Sequence, residues 1–144
     1  MSLQTFITAV SDLAITGVTT NYDTNEIPES LADSALPAMI PFLPTAPPIG
    51  GQQPVVFRRS STSAYNAQYY VEFRIYIRPV GDSPPKTYVR DQVVQLDNFL
   101  TAIRTNDATF AFEITVRAPG AGISNYAGVD YVMVTLPVDY EELF

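Results

Sequence analysis

The sequence predicts an α+β fold: a mixed or mostly antiparallel sheet of four to five strands, two helices packed on one of its faces, and an extended β-hairpin. Three observations carry that expectation. The stretch AQYYVEFRIYIRPV, residues 67–80, alternates apolar and polar side chains with the period of two that marks a half-buried strand. Residues 2–14 and 88–104 repeat apolar residues at helical spacing. The order of elements along the chain is helix, two or three strands, helix, two strands, which favours antiparallel pairing at least across the last two.

The opening SLQTFITAVSDLA places Leu3, Phe6, Ile7, Val10, Leu13 and Ala14 on one helical face, with Ser2 as N-cap and Gly17 just beyond the end. Thr16 to Ala35 is polar and acidic without a sustained period, and reads as a connection holding one helical turn near Pro28 to Ala32. Leu36 to Pro44 is a short apolar run. Pro41 cannot donate a ladder hydrogen bond, so this run suits an edge strand or a bulge. TAPPIGGQQP has loop composition, and a second strand is expected from Val55 to Ser60, with SSTSAYNA as a hairpin tip.

In the long strand, Tyr69, Val71, Phe73, Ile75 and Ile77 fall on one face, expected to be core. Tyr70, Glu72, Arg74, Tyr76 and Arg78 fall on the other, expected to be wet or to meet a partner. Asp82 or Ser83 then caps a helix with Pro84 in its first turn. Along that helix Val89, Val93, Leu96, Leu100 and Ile103 form the stripe expected to lie on the sheet, so that Ala at 96 or 100 would cost roughly 2–5 kcal/mol. FAFEITVR alternates with Phe110, Phe112, Ile114 and Val116 inward. APGAGISNYAG reads as a glycine-bearing loop, VDYVMVTLPV as the last strand, and the end is acidic.

At 144 residues with 47% hydrophobic side chains, the expectation is one soluble domain spanning residues 1–144. Only 16% of residues are charged, below the roughly 25% usual in globular proteins, which suits a subunit whose surfaces are covered by neighbours. No apolar run is long enough to span a bilayer, so no membrane partner is expected. The chain has no Cys and no His, which removes thiolate and histidine chemistry: no Ser/His/Asp triad, no Cys/His dyad and no histidine or thiolate metal site can be built. GAGISNYAG lacks the spacing of a dinucleotide-binding loop. The expectation is a protein that is not an enzyme, with no catalytic residue, metal or cofactor.

Charge is unevenly placed. From Arg58 to Arg90 six basic residues stand against Glu72 and Asp82, a local +4 within a chain of net charge −7, so the remainder carries −11. Arg58, Arg59, Arg74 and Arg78 together with Tyr65, Tyr70 and Tyr76 form the candidate partner interface, because exposed arginine and tyrosine are the usual anchors of interfaces. The competing reading pairs Arg74 and Arg78 with acids on a solvated face. Asp139, Glu141 and Glu142 read as a solvated acidic tail, or alternatively as a contact for another subunit or a lumen lining.

The element order resembles the tail terminator proteins of long-tailed bacteriophages. LQTFITAVSDLA, NEIPESLADSA and LPAMIPFL match the first helix, acidic connection and Pro-introduced strand of that family. YYVEFRIYIRPVGDSPPKTYVRDQVVQLDNFLTAI matches its long strand and second helix, and DYVMVTLPVDYEELF its tyrosine-bearing acidic end. The insertion TAPPIGGQQP and the loop APGAGISNYAG depart from the pattern. The resemblance implies a homohexameric ring in the neck of the virion, assembled in the host cytoplasm. Its partners would be the tail tube protein and a head-tail connector or stopper protein, and genomic DNA would pass through its lumen without specific binding. A net acidic protein suits that last role, because it repels DNA. The alternatives are a head-tail stopper, a tail tube subunit, or a small-ligand or peptide-binding α+β domain.

Overall fold

The computed structural model describes residues 2–44, 55–59, 65–81, 85–106, 114–117 and 119–143. Helix α1, Leu3–Ser11, starts where the Ser2 hydroxyl accepts the Thr5 N–H at 3.2 Å and buries Phe6, Ile7 and Val10. The strands are β1 (Thr20–Asn21), β2 (Ala38–Phe42), β3 (Val55–Arg59), β4 (Tyr65–Pro79), β5 (Ile114–Val116), β6 (Gly120–Tyr126) and β7 (Val129–Leu143); helix α2, Tyr88–Thr105, lies between β4 and β5. The expected helical turn near Pro28 is instead a 3-10 turn at Asp33–Ala35, and the proposed caps Asp82 and Ser83 lie outside the described residues.

The fold is α+β and the sheet is mixed, as expected, but among the described residues the sheet has seven strands. Among the described residues only β1 and β2 run parallel. Long β4 and β7 form an antiparallel spine, from Asn66 opposite Leu143 to Pro79 opposite Tyr131. Two strands share each outer edge of that spine. On β4, β2 pairs with residues 72–76 and β3 with residues 65–69; on β7, β6 pairs with residues 129–135 and β5 with residues 138–140. This sharing explains why seven strands exceed the expected four or five.

The core is divided by the sheet. On one face α1 and α2 pack over Val71, Phe73, Ile75, Ile77, Val134, Leu136, Val138 and Tyr140, so both helices lie on the same side, as the alternation of β4 predicts. On the opposite face Leu31 of the acidic connection and Leu36 just after it close over Ala38, Ile40, Tyr76, Tyr131 and Met133. That second cluster corrects the reading of the outer face as wet: Tyr76 is fully buried and Tyr70 nearly so.

Two further expectations are corrected. The segment read as a loop, APGAGISNYAG, contains β6. Its glycines lower strand propensity, but the two-residue turn Ala127–Gly128, with φ of 53° and 86°, returns the chain directly into β7. Asn125 secures that turn by accepting the Gly128 N–H at 3.1 Å and donating to Asp130 at 3.0 Å. The stripe assigned to α2 is also misplaced. Gln92, Gln95, Phe99, Ala102 and Ile103 are buried and Leu96 is partly so, while Val89, Val93 and Leu100 face out. At 100° per residue the helix is rolled about a quarter turn from the expected orientation. The buried glutamines are used as ties. Gln92 Nε2 donates to the carbonyls of Gly122 and Met133, at 3.1 and 3.3 Å, and Gln95 Nε2 donates to Gly17 at 3.2 Å. Gly17 permits that approach, since its φ is +83° and a Cβ there would lie 3.1 Å from Gln95 Nε2.

Candidate interaction surface

The residues proposed from sequence as a single interface are divided among four places, apart from Tyr65. Arg58 and Arg59 lie on β3, an outer strand of the sheet on which Val55, Phe57, Arg58 and Arg59 are exposed and Phe57 keeps 59% of its surface. The side chain of Tyr65 lies outside the described residues. Tyr76 is withdrawn from the interface set by burial: its ring packs edge-on against Tyr126 and Tyr131 at 5.3 and 5.6 Å. Arg78 is engaged by Asp91 of α2, so it fastens helix to sheet.

Tyr70 and Arg74 border a groove of about 470 Å³ on the sheet face opposite the helices. β4 also contributes Glu72, β7 contributes Pro137 and Asp139, Leu43 and Pro44 follow β2, and Arg117 follows β5. Arg74 Nε bonds Glu72 at 2.7 Å, and its guanidinium lies 4.3 Å from the centroid of Phe42. Arg117 pairs with Asp139 and lies 5.3 Å from the centroid of Tyr70. The groove is therefore lined by two neutralised ion pairs, each stacked on an aromatic ring, and offers flat guanidinium faces more than net charge.

Arg117 was not singled out from sequence. Its signal was the alternation of FAFEITVR, which puts Thr115 and Arg117 on the outward face. Its partner depends on the β5–β7 register, which sets Thr115 opposite Asp139. The acidic tail reading is corrected for Asp139 and Glu141. Both belong to β7; Asp139 is held by Arg117, and Glu141 accepts a hydrogen bond from the Asn66 side chain. Glu142 is in the same strand, and its side chain lies outside the described residues.

Burial raises the Asp139 pKa, and the Arg117 guanidinium offsets that only in part. A carboxyl whose folded pKa is raised favours the folded state most when protonated, and that contribution is lost as pH rises through the folded pKa. The stability of Asp139→Asn relative to the wild type is accordingly expected to improve as pH is raised through the carboxylate range. Denaturant titrations at several pH values would measure this, and a relative stability that falls with rising pH would mean that Arg117 outweighs burial. Asp23 has the opposite tendency. Burial opposes its charge, but the Thr24 N–H and the side chains of Thr8 and Gln4 hold its pKa below the usual value.

Among the described residues no group of three or more Asp or Glu side chains is gathered in a way that could hold a metal ion. No helix among them is long and apolar enough to cross a membrane. Compared with models of known families and with curated protein sequences, the chain matches none.

Proposed function

We propose that this chain is a tail terminator: a ring-forming structural protein that caps the tail tube of a long-tailed bacteriophage, stops its polymerisation and joins the tail to the neck. The observation that carries the reading is β3. It is an outer strand that exposes Val55, Phe57 and Arg59 on one face and Arg58 on the other, apolar and basic groups of the kind that dock on an acidic protein surface. The element order supports it as well, with the long alternating strand leading into the second helix and the last strand carrying the acidic end. Capping needs complementary faces and no catalysis.

The test is a tube-growth assay with purified tail tube protein. Substoichiometric addition of the chain is expected to arrest tube elongation, and Arg58→Glu with Arg59→Glu is expected to weaken docking by about tenfold or more without changing the thermal midpoint. Normal docking by the reversed protein would make the basic strip a solvated face. A chain that itself polymerises into tubes would be a tube subunit, and one that binds only the connector would be a stopper.

A second reading, a domain that holds a small ligand or peptide, is favoured by the groove beside Arg74 and Arg117, whose volume of about 470 Å³ falls in the range of ligand sites. It would require a monomer whose melting temperature rises with ligand, and loses that rise in Arg117→Ala.

A further inference from the structure

Helix α2 presents an apolar face that is left open among the described residues. Val89, Val93 and Leu100 are 66, 50 and 41% exposed, and with partly buried Leu96 they form one line along the helix. The line lies on the β6 side of α2. Gln92, next round the helix, reaches Gly122 of β6, whereas Gln95 on the other flank reaches Gly17 beyond α1. β6 continues the patch with Ile123, 57% exposed and opposite Val132 of the helix-covered face. Among the described residues β6 pairs only with β7, and Gly120–Tyr126 contains no Pro and no charge. Proteins usually guard an open strand edge with one of these, so an unguarded edge beside an apolar stripe is a surface built to be covered.

Charge identifies what covers it. The solvent side of the stripe carries Arg90, Asp97 and Arg104, spaced by seven residues, with Lys86 before the helix. A two-fold pairing of α2 with itself about Asp97 would set Arg90 against Arg104 and Asp97 against its own copy, like against like. The α1–β1 side of the molecule carries Asp12, Asp23 and Glu26, within a stretch, residues 1–57, that contains five acids and no Lys or Arg. There Asp12 follows α1, and Asp23, bonded to Gln4 and Thr8 of α1, accepts the Glu26 N–H. Beside them a groove of about 370 Å³, lined in part by Leu13, Ile15, Val18 and Asn21, lies between the end of α1 and β1.

We infer that the α2 stripe and β6 edge of one copy dock on the acidic α1–β1 edge of a second copy. The contact is heterologous: each copy uses both surfaces, so repetition gives a closed ring or an open filament and never a symmetric dimer. The inference rests on the ring reading given above and assigns the two surfaces that would form the ring.

The experiment is light scattering coupled to size exclusion, run on the full chain over a wide concentration series. The wild type is compared with Val93→Asp, with Arg90→Glu plus Arg104→Glu, and with Asp12→Arg plus Glu26→Arg. All of these positions are exposed, and thermal melts show that each variant is folded. The wild type is expected to assemble beyond a dimer. Each variant is expected to need about tenfold or more protein to do so, and mixing the two charge-reversed variants should restore assembly, because each then meets its complement. Variants that assemble like the wild type would overturn this interface and leave the ring reading standing. A wild-type dimer indifferent to Asp12→Arg plus Glu26→Arg would replace it with a two-fold contact. A wild type that stays monomeric throughout would overturn the ring reading itself.

Discussion

Replacing Phe99 by Ala is expected to destabilise the fold by about 3–5 kcal/mol, whereas the neighbouring Leu100→Ala is expected to cost under about 1 kcal/mol. Phe99 is fully buried where α2 meets the sheet, with its ring 6.2 Å from that of Phe73 on β4. Truncation there loses the transfer free energy of an aromatic ring and leaves a void between helix and strand that neither backbone can close. Leu100 already holds 41% of its surface in water. Urea titrations of both variants would measure the contrast, which appears in a thermal melt as a drop of roughly 10–20 °C for Phe99→Ala alone. Equal losses at the two positions would restore the stripe read from sequence and refute the observed roll of the helix.

The second large effect is expected at Tyr140. Tyr140→Ala is expected to cost about 3–5 kcal/mol although it lies only four residues from the end of the chain. Its side chain is fully buried, and its ring stacks with Phe6 of α1 at 4.7 Å and with Tyr69 of β4 at 6.2 Å. One residue therefore joins the first helix, the long strand and the last strand. Were the terminus a solvated acidic tail, the substitution would leave the unfolding midpoint in place, and that result would detach β7 from the core beyond Val138.

Much of this was legible in the sequence. The alternation of Tyr69, Val71, Phe73, Ile75 and Ile77 located the core face of β4, and the spacing of Phe6, Ile7 and Val10 located that of α1, because both patterns depend on backbone geometry alone. The absence of His and Cys, the acidic total and the basic stretch from Arg58 to Arg90 are properties of composition and required no fold.

Tertiary structure decided the rest, and in each case the reason is a partner distant in sequence. Helix α2 carries apolar residues over more than one stripe, so periodicity permits several orientations; the one adopted is set by Phe99 against Phe73 and by two glutamines whose amides find carbonyls of Gly122, Met133 and Gly17. Gln reads as solvent-facing because burial of an unpaired amide is costly, and only a folded neighbour removes that penalty. β6 has weak intrinsic strand propensity and becomes a strand because β7 lies beside it. Tyr76 and Arg78 read as groups of an outer sheet face and Asp139 as part of an acidic tail; Tyr76 is instead buried, the irregularity between Tyr76 and Arg78 sets Arg78 opposite Val132 of the helix-covered face, and Asp139 belongs to β7. Whether such a group is offered to a partner or retained by the chain depends on what Tyr131, Asp91 and Arg117 bring to it, and local sequence contains no record of that distance.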